Sequence, residues 1–135
     1  MKKILSLILF ISMVITLSVS TSALAIEPTI QPRWETMASM NVYVNFSGTT
    51  GTACARVSRL AGITTEIEGT LYVYEVDGDD WIYIDSEYGS STRSLGIDIE
   101  FDATSGTEYV AVFEVTGHSA NTSESETVMD YGTCP

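Results

Sequence analysis

The chain has 135 residues, with 18 acidic and six basic side chains and a net charge of −12 at pH 7. Both lysines lie in the first 25 residues, so the remainder sets four arginines against all 18 acids, a net of −14. This balance excludes nucleic acid as a partner, because phosphates need a basic face, and it opposes anionic membrane surfaces.

Residues 1–25 read as a secretory signal. Lys2 and Lys3 form the basic start, Ile4 to Val19 the mostly apolar centre, and Ala23-Leu24-Ala25 the small-x-small cleavage pattern. The stretch is near the ~20 residues of a spanning helix. However, its hydroxyl residues, its Ala-x-Ala end and the lack of a basic stop-transfer cluster favour removal. Cleavage before Ile26 leaves no cysteine for lipid attachment, and the C-terminal residues carry no hydrophobic tail. The expected product is secreted and extracellular, with no membrane anchor after signal cleavage.

Residues 26–36 contain Pro28 and Pro32, show no period and read as an extended leader. Residues 37–135 then read as one domain built on period-two alternation. Met40 to Phe46 alternates, and Ser47-Gly48-Thr49-Thr50-Gly51 turns the chain. Thr52 to Leu60 is the second strand, with Ala53, Ala55 and Val57 against Cys54, Arg56 and Ser58; its facing is ambiguous. Thr65 to Val76 sets Ile67, Gly69, Leu71 and Val73 on one face and Glu68, Thr70, Tyr72 and Tyr74 on the other. Asp77-Gly78-Asp79-Asp80 is a hairpin turn.

Trp81 to Glu87 pairs back, and Tyr88 to Thr92 reads as a Gly/Ser loop. The clearest strand follows: Leu95, Ile97, Ile99 and Phe101 alternate with Gly96, Asp98, Glu100 and Asp102, one buried face and one acidic face. Tyr109, Ala111, Phe113 and Val115 alternate with Val110, Val112 and Glu114. Residues 117–123 read as a polar loop, and a last strand runs through about 125–131. Nothing has a helical period. The layout predicts an all-β, antiparallel β-sandwich of about seven strands.

Cys54 and Cys134 are the only cysteines, and an even count in an exported chain predicts one disulfide between them. A structural zinc site would need more ligands than two cysteines and the single His118. His118-Ser119 sits in a polar stretch without a nucleophile motif, so no catalytic residue is assigned. A glycosidase would need two carboxylates across a cleft, which a small sandwich offers poorly. Asp77-Gly78-Asp79-Asp80 starts like a calcium loop but places Trp81 and Tyr88 where oxygen ligands belong. The Asp98, Glu100, Asp102 row is too widely spaced for one ion. No metal or cofactor is expected.

The strongest candidate surface is aromatic: Tyr43, Tyr72, Tyr74, Trp81 and Tyr83 fall on faces opposite the apolar sets. Exposed rings on a sheet stack on sugars or anchor protein contacts. The competing view is that aromatics simply suit β surfaces and pack across strands.

Ser105-Gly106-Thr107-Glu108-Tyr109-Val110-Ala111-Val112 resembles the turn and F strand of fibronectin type III and related immunoglobulin-like domains. The resemblance implies that Tyr109 is a corner residue whose hydroxyl bonds backbone upstream. The wider layout resembles a group of uncharacterised small secreted proteins of Firmicutes such as clostridia. The matching segments are Gln31-Pro32-Arg33-Trp34, Phe46 to Gly51 before a cysteine, Gly69-Thr70-Leu71 before the Trp81 hairpin, Gly106 to Tyr109, and the C-terminal cysteine. It implies a sandwich with a disulfide and carries no activity with it.

The sequence thus predicts an immunoglobulin-like, secreted, non-catalytic binding module, monomeric or weakly associating, for cell-wall or host glycans. The alternative is a protein-interaction or effector domain using its acidic surface.

Overall fold

The computed structural model describes residues 34–135. The expected signal segment, 1–25, lies outside them, as does most of the leader. Seven antiparallel strands follow in chain order: β1 Met37–Ser47, β2 Thr50–Arg59, β3 Thr64–Asp77, β4 Asp80–Ser91, β5 Leu95–Asp102, β6 Glu108–Ser119 and β7 Ser123–Thr133. They form a three-stranded sheet, β1-β2-β5, and a four-stranded sheet, β4-β3-β6-β7. The β-sandwich expected from the alternation is therefore the fold.

The core lies between the sheets. Val42, Val44, Ala53, Ala55, Val57, Leu95, Ile97, Ile99 and Phe101 project from the three-stranded sheet. Ile67, Leu71, Val73, Tyr109, Ala111, Phe113 and Val115 meet them from the other. Period-two alternation supplies this single apolar face per strand. The small side chains of β2 leave room for Phe101, whose ring lies against Gly51.

Two hairpins carry glycine at the first loop position with positive φ, Gly48 at 61° and Gly78 at 64°. The two-residue loop Gly78-Asp79, between paired Asp77 and Asp80, has the II′ arrangement that suits twisted strands. The fourth strand runs further than its sequence suggests. Tyr88 to Ser91 continue the ladder against Ile67–Thr70, where a Gly/Ser loop was expected. Gly89 belongs there because a Cβ would stand 3.0 Å from Leu95 Cδ1. The sixth and seventh strands likewise absorb most of the expected 117–123 loop.

The end of the leader packs onto the domain. Trp34 lies against the core, and Thr36 is fully buried. The Leu60 N–H donates to the Thr36 carbonyl at 3.1 Å, and the Thr64 hydroxyl donates to the same oxygen. Among the described residues no helix is long and apolar enough to cross a membrane.

The predicted disulfide is not present. Cys54 and Cys134 are both buried free thiols. Strand geometry separates them. Cys54 pairs with Tyr43 and Asp98 on the outer side of the three-stranded sheet, opposite the inward Ala53 and Ala55. Cys134 belongs to the core cluster, with its sulfur 3.4 Å from the Gly48 carbonyl at the β1–β2 turn. From that turn, Cys54 is also about 13 Å further along β2, counting four residues from Thr50. A disulfide needs Cα atoms within about 7 Å.

Candidate functional site

The outer face of the four-stranded sheet departs from ordinary sandwich design. In the middle strand β6, Val110 and Val112 point away from the core and yet are buried, Val110 completely. No helix or third sheet covers them among the described residues. Their cover is a set of aromatic side chains from three strands.

The register explains how these meet. Tyr74 pairs with Val110 on one side and Tyr83 on the other, and Val110 pairs with Tyr131. One step along, Tyr72 pairs with Val112, and Val112 with Met129. Antiparallel pairing puts directly opposed residues on one face, so Tyr83, Tyr74, Val110 and Tyr131 form one row across all four strands. A bulge shifts the β3–β4 register between Val73 and Tyr74. It re-aims the end of β4, which places Trp81 and Tyr83 on the same face as Tyr72 and Tyr74.

The rings form a connected patch. Tyr72 and Tyr74 stack at 6.3 Å between centroids. Tyr74 meets Trp81 at 5.6 Å and Tyr83 edge-on at 6.0 Å. Trp81 reaches Tyr131 edge-on at 6.2 Å, closing the roof above Val110. Burying a valine stabilises by about 1.5–3 kcal/mol, so part of this arrangement is structural. Yet Trp81 remains 43% exposed, Tyr83 56% and Tyr131 49%. These three residues keep about half of their surface open to solvent, while Tyr72 and Tyr74 are half-buried beneath them.

The same face becomes polar toward its other end. A cleft of about 550 Å³ is lined by Glu68, Thr70, Tyr88, Glu114, Thr116 and Thr127 among others. Thr70 lies two residues before Tyr72 and Thr127 two before Met129, so cleft and patch are continuous along β3 and β7. Glu68 is fixed from two sides. The Tyr88 hydroxyl donates to its Oε2 at 2.9 Å, and His118 Nε2 lies 2.9 Å from its Oε1. First His118 and then Tyr88 hold the Glu68 carboxyl below the usual carboxylate range. The Glu68 carboxylate in turn pushes the Tyr88 phenol upward.

Of the sequence-predicted surface residues, Tyr72, Tyr74, Trp81 and Tyr83 come together here. Tyr43 stands apart on the outer side of the three-stranded sheet, across from Cys54. There Arg56 pairs with Asp98 at 2.7 Å, and Asp98 sits opposite Cys54. Burial first, and then the Asp98 hydrogen bond, push the Cys54 thiol up, away from the thiolate a nucleophile needs. Sequence reasoning missed Tyr131 and Met129. A signal existed: β6 is apolar on both faces, which marks a strand covered on both sides.

No group of three or more His, Cys, Asp or Glu residues suited to a metal ion occurs among the described residues. No family model matches the chain. No curated protein matches it. Among solved structures it is similar to β-glucosidase 3B from Thermotoga neapolitana in complex with glycerol, at 14% identity and a TM-score of 0.33 over 70% of this chain. The same enzyme in complex with α-D-glucose gives 15% identity and a TM-score of 0.33 over 73% of this chain. The chain spans 17% of the length of either structure.

Proposed function

We propose that this chain is a secreted, non-catalytic glycan-binding module of immunoglobulin-like class, and that the outer face of its four-stranded sheet is the binding surface. The observation that carries the reading is the connected set of half-exposed rings, Trp81, Tyr83 and Tyr131, around Tyr74. Sugar rings present flat C–H faces that stack on such side chains, while their hydroxyls need polar partners at the edge. Thr70, Thr116, Thr127 and Glu114 supply those partners in the adjoining cleft. The immunoglobulin-like class is supported by the Tyr109 corner, where the Thr104 N–H donates to the Tyr109 hydroxyl at 2.8 Å. Export is supported by the signal pattern of residues 1–25.

The second reading, a protein-interaction domain, is favoured by the acidity of the chain and by exposed Met129 beside the rings. Retention of the purified protein on insoluble polysaccharides, mucin glycans and cell-surface protein extract separates the two. Stacking predicts polysaccharide retention that survives high salt and is lost in Tyr83→Ala and Trp81→Ala. Retention only on protein extract, abolished by salt as screened charges require, would replace the glycan reading with the protein one.

A further inference from the structure

The polar end of the face narrows the class of glycan. We infer that the preferred ligand is a polymer of amino sugars with free amines, its rings stacked on the aromatic patch and an ammonium seated beside Glu114. This inference rests on the glycan reading and deepens it.

Three observations combine. The first is the aromatic patch itself, which selects a ligand with flat apolar ring faces. The second is the open cleft contiguous with it, about 550 Å³ in volume, along which a chain that extends beyond the rings can lie. The third is the sign of the cleft. Glu68 and Glu114 line it with their carboxylates, and no arginine does. The described arginines lie elsewhere: Arg56 pairs with Asp98 on the other sheet, Arg59 ends β2, and Arg93 sits between β4 and β5. Uronic acids, sulfated sugars and phosphate-bearing polymers would meet like charge at Glu68 and Glu114 in the cleft.

The two cleft carboxylates on the outer face have different duties. Glu68 is already engaged by Tyr88 and His118. Glu114 stands on β6 between Thr70 and Thr127. It is exposed and takes no part in an ion pair among the described residues. An ammonium there gains a charge-assisted hydrogen bond with threonine hydroxyls on both sides. An acetylated amine offers only a neutral N–H and adds bulk. Because Glu114 is exposed, the difference corresponds to about three- to fivefold in affinity.

The test compares glucosamine and N-acetylglucosamine oligosaccharides of equal length by calorimetry on the intact protein, with a lysine peptide of equal charge as a third probe. The expected result is about three- to fivefold tighter binding of the free-amine series. Glu114→Gln should erase most of that preference by weakening the free-amine series more than the acetylated one, with the melting temperature unchanged, and Trp81→Ala should weaken both series. Equal binding of the two series, a preference that survives Glu114→Gln, or equally tight binding of the lysine peptide would overturn the inference. If neither series binds and neutral polysaccharides still do, the inference alone fails. If no glycan binds at all, the glycan reading fails with it.

Discussion

Tyr109 buries its ring against Phe101 and Phe46, at 5.1 and 5.8 Å, and keeps its hydroxyl on the backbone of Thr104. Tyr109→Phe preserves the packing and removes only that bond. It should cost about 1 kcal/mol in urea unfolding with an unchanged m-value. Two carboxyls contribute to the acid limb of stability. The Arg56 guanidinium, followed by the Cys54 hydrogen bond, holds Asp98 low, and His118 with Tyr88 does the same for Glu68. A carboxyl with a depressed folded value stabilises fully above its unfolded value, near pH 4. That contribution disappears as pH falls through the folded value. Both pairs are solvent-exposed, so the effect is small. Asp98→Asn should flatten the loss of stability below about pH 4 in a melting series, and an unchanged slope would contradict the assignment. The cysteines give a cleaner test. Two thiols should titrate in denaturant without prior reduction, and reductant should leave the melting temperature unmoved. A single disulfide would instead leave no titratable thiol.

At the level of strands, β7 does more than extend a sheet. Its inward carboxylates reach across the sandwich to otherwise open backbone. Asp130 Oδ2 accepts the Val44 N–H at 3.0 Å. Glu124 Oε2 accepts the Glu35 N–H at 2.9 Å and the Thr36 N–H at 3.2 Å, with the Thr36 hydroxyl at 3.1 Å. These bonds occupy donors on the free edge of β1 and its approach, where an unpaired edge invites association. Asp130→Ala should destabilise by about 1–2 kcal/mol and raise amide exchange at Val44 before other β1 positions. The alternation made the strands legible, most plainly in β5, where Leu95, Ile97, Ile99 and Phe101 all face the core. The run from Tyr88 to Ser91 was not legible, because Gly and Ser favour loops locally while pairing with β3 decides the outcome. Asp130 and Glu124 looked like surface charge because their partners lie more than 80 residues away in sequence. The disulfide expectation came from cysteine count and from the family resemblance, and facing, which neither registers, overrides it. Tyr72, Tyr74, Trp81 and Tyr83 were readable as an outer set. Tyr131 joins them only through the two-sided burial of β6.

For the molecule as a whole, the two outer faces differ in kind. The three-stranded sheet presents polar and charged residues such as Asn41, Asn45, Arg56, Asp98 and Glu100 to water. The four-stranded sheet presents a connected aromatic patch that grades into an acidic, hydroxyl-lined cleft. An exposed apolar patch rimmed by polar residues marks an interaction surface, and here the patch rests on a rigid central pair, β3 and β6, which preorganises it. The proposed function puts the ligand on this face and no other. The most direct measurement is the nitrogen–proton NMR spectrum of the protein titrated with the oligosaccharide it retains best. The Trp81 indole N–H and the Val110, Val112 and Tyr131 amides should shift, with the Trp34 indole and the Tyr43, Cys54 and Asp98 amides unmoved. Shifts confined to the three-stranded sheet, or an unperturbed Trp81 at saturating ligand, would contradict that placement.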